Sequence, residues 1–354
     1  MPNIVDLVQP QFLASAWDAT KENQASYLGL SLFPAKKQAG MKIEMIKGVA
    51  GLPVSLVAGA FDAHAPFRGR LGLEMGEAKM AFFRERMKVD EETRQQIMLL
   101  QQAQSPQIAQ YIENIFNDAL NLIAGARVVA ERMIMQLIST GKIRIESNGI
   151  IQDYDYGFAK HQFATPAKSW SDPTSLPLVD IDKMLTAFKK KTNISLTRCV
   201  MTSTTFDYLK SNTSLLALVY KERADYSGLF ITKQQIKDII SQYTGVQIAE
   251  YNEVYCEAVG GDAKTFFPDG VVSFLPNGTL GNMYYGVTPE EANRNASGNS
   301  KYNNTSTNAE IVEQGIAVQT MVNEHPVEIE ILVSAMMLPS LNNMGSNILI
   351  AQVA

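Results

Sequence analysis

The sequence has few of the side chains that most catalytic and metal sites use. Its 354 residues include three histidines and two cysteines, Cys199 and Cys256, which lie far apart. No Cys-x-x-Cys or Cys/His spacing is present, which argues against a structural zinc site. None of His64, His161 and His325 has the spacing of a metal ligand or a catalytic triad. The chain also lacks a phosphate-loop motif, a nucleophile elbow and a cofactor fingerprint. We therefore predict no catalytic, cofactor-binding or metal-binding residues, and no cofactor.

The sequence also contains few charged residues and no long apolar stretch. Charged residues make up 19% of the chain and its net charge is -5. Specific nucleic-acid binding usually needs a basic face, and the basic runs at 36–37, 84–86 and 189–191 are interpreted as solvated surface. No apolar stretch is long enough to span a bilayer, and no signal peptide is recognisable at the N-terminus. We predict no membrane partner. Few charges beside 46% hydrophobic residues are typical of a surface partly covered by partners, although one large core would look similar.

Two N-terminal segments are predicted to need a neighbour. Residues 1–49 have short strand-like pieces at 27–33 and 41–46. Residues 50–92 are rich in glycine, and their apolar residues show no clean helical period until late in the segment. A segment of this length is uncommon as a loop in a compact monomer, so we predict a long two-stranded protrusion. An isolated hairpin is only marginally stable in water.

The clearest predicted element is a long amphipathic helix. Ser105 is a suitable N-cap and Pro106 suits the first helical position. Apolar residues then recur at steps of three and four as far as Leu137, and Gly141 is a natural stop. At about 1.5 Å per residue this helix spans roughly 50 Å. Residues 91–104 predict a further helix upstream.

The remainder of the chain alternates strands with helices. Asn148-Gly149 predicts a tight hairpin turn. Pro268-Asp269-Gly270 and Pro276-Asn277-Gly278 predict two further turns, with a strand over 271–275 between them. The alternation indicates a mixed α/β domain. Residues 288–310 are polar and predict a surface excursion or mobile loop, after which closing strands follow.

Three stretches resemble the major capsid protein E family of tailed phages, whose members have the Hong Kong ninety-seven-type coat fold. FFPDGVVSFLPNGTLGNMYYG, residues 266–286, is similar to the family's F-x-P-D/N…G…Y-G strand pair. QLISTGKIRIESNGIIQDYDYG, residues 136–157, is similar to its helix end, hairpin and following D-x-G stretch. VEIEILVSAMMLPSLNNMGSNILIAQV, residues 327–353, is similar to its two closing strands. The order of elements matches along nearly the whole chain.

The resemblance implies an α+β coat fold in five parts. These are an N-terminal arm, an extended loop, a peripheral domain with a long spine helix, an axial α/β domain, and C-terminal strands that complete the peripheral domain. The corresponding residues are 1–49, 50–92, 93–175, 176–320 and 321–354. Because the similarity begins close to Met1, no fused scaffolding segment is expected.

The resemblance also implies a function that is structural and not enzymatic. Copies of the chain would form the hexamers and pentamers of an icosahedral phage head that encloses double-stranded DNA. The expected partners are the chain itself, separate scaffolding, portal and decoration proteins, and DNA held non-specifically. The expected location is the virion capsid, after assembly in the host cytoplasm.

Three other interpretations remain open at the level of sequence. An encapsulin-type nanocompartment would use the same fold. A soluble α/β enzyme with an unrecognised active site would make the long helix an ordinary core element. A tail-tube protein would be rich in β-structure, and the long helix argues against it.

Overall fold

A computed structural model describes residues 8–20, 26–48, 73–103, 107–147, 149–220, 231–258, 260–296, 309–342 and 347–354. The chain divides into two compact units. The first consists of Met1–Ile43, Ala78–Glu131 and Asn282–Pro339, and the second of Glu44–Glu77, Arg132–Gly281 and Ser340–Ala354.

Helices and strands are numbered in chain order within the described residues. The helices are α1 (Pro10–Ala19), α2 (Leu28–Leu32), α3 (Glu91–Gln102), α4 (Gln107–Thr140), α5 (Pro177–Thr192), α6 (Ser203–Lys210), α7 (Thr213–Val219), α8 (Lys233–Thr244) and α9 (Pro289–Ala296). The strands are β1 (Ala35–Lys37), β2 (Lys42–Gly48), β3 (Leu73–Lys79), β4 (Ala81–Val89), β5 (Lys142–Ser147), β6 (Ile150–Asp155), β7 (Phe163–Ala164), β8 (Arg198–Met201), β9 (Gln247–Glu250), β10 (Val254–Tyr255), β11 (Lys264–Thr265), β12 (Val271–Leu275), β13 (Gly281–Tyr285), β14 (Ala309–Val312), β15 (Ile316–Glu324), β16 (Val327–Leu341) and β17 (Leu349–Gln352).

The first unit is built on a six-stranded sheet in the order β1-β13-β16-β15-β14, with β4 also paired to β16. The antiparallel register places Ile331 of β16 opposite Thr320 of β15 and Met87 of β4. On this side of the sheet, Thr320 donates a hydrogen bond to the carbonyl oxygen of Val8 at 2.6 Å. Thr320 and Ile331 are both buried, so this face of the sheet packs into the core.

The second unit has a five-stranded sheet in the order β7-β17-β12-β8-β9. β12 is antiparallel to both β17 and β8, whereas β8 is parallel to β9. Helices α5, α6, α7 and α8 contribute to one apolar core with the sheet; its members include Phe188, Phe206, Leu215, Ile236 and Phe274. This alternation of strands and helices around one sheet confirms the predicted mixed α/β region.

Several local predictions are confirmed. α4 has 34 residues and stops before Gly141, whose φ is 73°; Ser105 and Pro106 lie outside the described residues. α3 matches the helix predicted upstream. β5 and β6 pair antiparallel with Ser147 opposite Ile150, as the Asn-Gly turn predicted. β12 is the predicted strand, and Gly270 and Gly278 at its two ends have φ of 72° and 86°.

One local prediction is wrong. Residues 27–33, predicted as extended, contain helix α2, because the buried carboxylate of Glu131 accepts hydrogen bonds from the first backbone N–H groups of that helix.

The polar segment 288–310, predicted as a surface excursion or mobile loop, is described only in part. Residues 297–308 lie outside the described residues, and the rest includes α9 and the first residues of β14. The carboxylate of Glu290 in α9 is buried and pairs with Arg84 of β4 and Ser334 of β16.

The predicted protrusion and the closing strands are described in part. β2 and β3 form a two-stranded sheet that flanks residues 49–72, which lie outside the described residues. β4 pairs with β16 along its length. Of the C-terminal strands, β16 belongs to the sheet of the first unit and β17 to that of the second. The five-part division stays a prediction.

Candidate functional site

The described residues contain little that resembles an active site. They hold no group of three or more His, Cys, Asp or Glu residues that could bind a metal ion. No helix among them is long and apolar enough to cross a membrane. Burial raises the pKa of the Cys199 thiol well above its ordinary value, which makes that thiol a poor nucleophile. Burial and the nearby charge of Lys191 lower the pKa of His161. The predicted absence of catalytic, cofactor-binding and metal-binding residues stays a prediction.

Backbone shape is instead fixed by polar side chains, most clearly at the turn after β12. Arg198 lies opposite Leu275, the last residue of that strand. Its Nε and Nη2 atoms donate to the carbonyl oxygen of Pro276 at 3.0 and 2.6 Å, and Nη2 also donates to the carbonyl oxygen of Gly278 at 2.6 Å. One planar guanidinium therefore holds both ends of the Pro-Asn-Gly turn.

The turn before β12 is held in a similar way. The N–H of Gly270 donates to the hydroxyl of Thr205 at 2.9 Å, and the carbonyl oxygen of Gly270 accepts from the N–H of Val353 at 2.8 Å. A Cβ atom added at Gly270 would lie 3.1 Å from the Cβ of Ala354. The positive φ and this close contact together require glycine. Thr202 also donates to the carboxylate of Asp269.

A charged network lies where the parallel strands β8 and β9 end. Glu250, the last residue of β9, accepts hydrogen bonds from Lys233 at 2.6 Å and from the Ser203 hydroxyl at 3.1 Å. Lys237 forms an ion pair with the same carboxylate at 3.0 Å. Burial raises the pKa of Glu250, but these bonds outweigh burial and the pKa lies below its ordinary value. The carboxylate is ionised and fully engaged, which is typical of a structural group and not of a general base.

The N-terminal segment is attached to the long helix by one buried carboxylate. Glu131 of α4 accepts hydrogen bonds from the N–H groups of Gly29 and Leu30 at 2.9 and 3.1 Å. Four residues earlier in α4, the guanidinium of Arg127 lies 5.8 Å from the centre of the Tyr27 ring. The two hydrogen bonds to Glu131 satisfy helical N–H groups that have no partner within a five-residue helix.

The face of the first unit's sheet opposite Thr320 and Ile331 carries a row of cations at β4. Arg84, Arg86 and Lys88, here called the cation row, alternate along β4 and form ion pairs with Glu290, Glu330 and Glu328. The cationic side chains are 47, 68 and 63% exposed, whereas the carboxylates are 5, 11 and 12% exposed. The surface therefore presents the cations above buried carboxylates, at a repeat of about 6.7 Å along the strand.

Large apolar side chains are also exposed. In the first unit, Met98 and Leu99 face solvent on α3. In the second, Ile150 and Ile151 lie at the start of β6, beside the hairpin turn. Adjacent residues of a strand point to opposite faces, so both faces of this hairpin end are apolar. Exposed apolar side chains of this kind are common where a chain meets a partner.

Comparison with known proteins decides the family. The sequence profile of the family described as phage major capsid protein E matches residues 12–348. The chain belongs to this family of phage major capsid proteins. No curated protein matches the sequence.

Solved structures agree with the fold of this capsid-family chain. A putative capsid protein of a prophage of E. coli CFT073 superposes with a TM-score of 0.59 at 14% identity, covering 98% of this chain and 99% of that chain. A phage-related protein of Bordetella bronchiseptica RB50 gives a TM-score of 0.55 at 14% identity and covers 98% of both chains. The capsid asymmetric unit of cyanophage A-1(L) gives 0.50 at 10% identity, over 92% and 91% of the two chains. At these identities the likeness shows the fold alone, and it confirms the predicted coat fold.

In this capsid-family chain, the polar side chains described above fix turns and a helix start, and the cationic and apolar ones lie exposed on the surface. The sequence identified the two glycine turns and the hairpin correctly. It did not identify Arg198, Glu131 or the carboxylates beneath the cation row, because their partners lie far away along the chain. The Arg-x-Arg-x-Lys alternation over 84–88 was the available signal for the cation row, since alternate strand residues share a face.

Proposed function

We propose that this chain is the shell-forming subunit of a phage head. Copies assemble into hexamers and pentamers of an icosahedral capsid around double-stranded DNA, and the subunit has no enzymatic activity. The observation that carries the proposal is the match to the major capsid protein E family over residues 12–348. Assembly in the host cytoplasm, with separate scaffolding, portal and decoration proteins, belongs to the same proposal.

The described structure supports self-association in two ways. β2 and β3 form a sheet of only two strands, and such a sheet is marginally stable in water without further packing. The exposed apolar residues of α3 and of the β5–β6 hairpin supply surface that a neighbouring copy can bury. Obligate assemblies of this kind bury on the order of 2,000 Å² or more at each interface.

The test is assembly of the full-length chain, viewed by negative-stain electron microscopy beside a mass from light scattering. Closed shells, tubes, or rings of five or six copies are expected. A small monodisperse species that stays unchanged when crowding agents or a scaffolding protein are supplied would contradict the proposal. That outcome would favour the soluble-enzyme alternative.

A loop replacement gives a sharper test of which segment links the copies. Residues 49–72 are exchanged for a short Gly/Ser linker, which leaves β4 and its pairing with β16 intact. We expect an unchanged unfolding transition and no closed shells. Normal particles from this variant would show that the segment is not needed for closure.

A second experiment separates a virion coat from an encapsulin-type nanocompartment, which has the same fold. Particles are isolated from cells in which the phage genome is being packaged, and are then treated with nuclease. Protected double-stranded DNA is expected inside them. Protein cargo without protected DNA would favour the nanocompartment.

A further inference from the structure

The turn after β12 contains an exposed asparagine followed by glycine. The backbone N–H of Gly278 donates to Oδ1 of Asn277 at 3.0 Å. This contact places the glycine nitrogen beside the carboxamide carbon that carries that oxygen. Glycine has no Cβ to shield its nitrogen, and both residues are open to water. The turn thus holds the two atoms that must join to form a five-membered succinimide ring.

The same turn lies against a guanidinium without an acidic partner. Arg198 donates to the carbonyl oxygens on either side of Asn277, and in the part of the chain that the structure describes it forms no ion pair. Burial lowers the pKa of Arg198, as expected where no carboxylate compensates the desolvated charge. A carboxylate formed at position 277 would be that compensating charge.

We propose that Asn277 is a self-modification site, where the asparagine converts to aspartate through a succinimide and the new carboxylate pairs with Arg198. The deprotonated backbone nitrogen of Gly278 attacks Cγ of Asn277 and forms an N–Cγ bond. The Cγ–Nδ2 bond breaks, and Nδ2 takes up through solvent the proton that the Gly278 nitrogen lost and leaves as ammonia. Water then opens the ring at one of its two carbonyl carbons. The reaction consumes one water molecule, needs no oxidant or enzyme, and adds one negative charge to each subunit.

Arg198 also directs which carbonyl the water attacks. Opening that restores the ordinary peptide bond leaves a side-chain carboxylate on the turn whose two ends the guanidinium holds. Opening the other way gives isoaspartate, which adds a methylene group to the main chain between the two carbonyl groups that Arg198 holds. The hydrogen bonds to Pro276 and Gly278 oppose that extension, so aspartate is the favoured product.

The first measurement uses the folded full-length chain in heavy-oxygen water at mildly alkaline pH. Peptide mapping by mass spectrometry follows oxygen uptake at residue 277, with the chain's other Asn-Gly step, Asn148-Gly149, as internal reference. The same chain unfolded in urea gives the intrinsic rate. We expect folded Asn277 to convert within about tenfold of that rate, a barrier difference of ~1.4 kcal/mol. Retention of the amide in the folded chain while the unfolded chain converts completely would overturn the proposal.

The role of Arg198 is tested separately. Arg198→Gln is expected to shift the product at residue 277 from aspartate towards isoaspartate. An unchanged product ratio would overturn the directing role.

A second pair of variants avoids dependence on the slow reaction. Asn277→Asp supplies the product directly and is expected to raise Tm when Arg198 is present, but not in the Arg198→Gln background. An equal change of Tm in both backgrounds would show that no ion pair forms, because a double-mutant cycle isolates the pairwise contribution.

Discussion

The carboxylate of Glu131 lies 2.9 Å from the backbone nitrogen of Gly29, although 102 residues separate the two in sequence. Glu131 is fully buried and accepts a second backbone hydrogen bond from Leu30. A buried acidic side chain on the long helix therefore takes the place of a local N-cap for α2. It supplies acceptors for the first N–H groups of a helix in a segment whose sequence is strand-like.

Removal of that carboxylate is expected to release α2. Glu131→Ala leaves two backbone donors without an acceptor, at a cost of about 1–3 kcal/mol for each buried donor. The free energy of unfolding in urea is expected to fall accordingly, and amide hydrogen exchange is expected to rise over residues 26–37. Glu113→Ala, at an exposed position of the same helix, is the control and should change neither. Unchanged exchange in Glu131→Ala would contradict the role of the carboxylate.

The apolar face of α4 should not tolerate charge. Ile115 is buried, so Ile115→Asp places an ionised carboxylate without a partner in the core. We expect insoluble protein on expression. Asn117→Asp adds the same charge at an exposed position two residues further on and should remain soluble. A soluble Ile115→Asp variant that assembles normally would show that this face of the helix is open to solvent.

Gly125 lies inside α4 and Gly141 follows its last residue. The two glycines should respond in opposite ways to substitution by alanine. A Cβ atom at Gly125 meets nothing within 4 Å, so Gly125→Ala should stabilise the helix by about 0.8–1 kcal/mol. At Gly141, where φ is 73°, the same Cβ would lie 2.9 Å from the Phe158 ring. Gly141→Ala should therefore destabilise the chain by about 1–3 kcal/mol. Urea unfolding of the two variants measures both, and equal signs would contradict the geometry.

The Glu250 network predicts a loss of stability in acid. The pKa of Glu250 is lower in the folded chain than its ordinary value of 4.5, so the unfolded state takes up its proton first as pH falls. The stabilisation is complete well above pH 4.5 and is lost as pH falls through the folded pKa. Glu250→Gln should flatten this part of the curve of unfolding free energy against pH. Glu253→Gln, at an exposed neighbouring position, should leave the slope unchanged, and identical slopes in all three proteins would contradict the prediction.

The sequence predicted those elements that are governed by nearby residues. The spacing of apolar residues and the stop at Gly141 predicted α4. The Asn-Gly step predicted the β5–β6 hairpin, and the two glycine turns predicted β12. In each case the element is decided by backbone dihedral preferences and by helical periodicity, which depend on residues close together in sequence. The family resemblance rested on the order of these same elements.

Tertiary structure alone decided the remaining features. α2 depends on Glu131, the turn over 276–278 depends on Arg198, and β4 belongs to a sheet because β16 pairs with it. Pro339 lies inside β16, although proline has no N–H group to donate to a strand ladder. The pairing of β16 with β15 ends at Ala335 and its pairing with β4 ends at Met337, so neither of these two ladders needs a donor at Pro339.

The physical reason is the same in each of these cases. A hydrogen bond or an ion pair stabilises whichever segments the fold brings together, whatever their distance along the chain. Local propensity amounts to less than about 1 kcal/mol per residue and is readily overridden by such contacts. The sequence by itself thus determined the elements and, through their order, the family. The tertiary fold determined which distant group each element contacts: a buried carboxylate, a guanidinium or the edge of another strand.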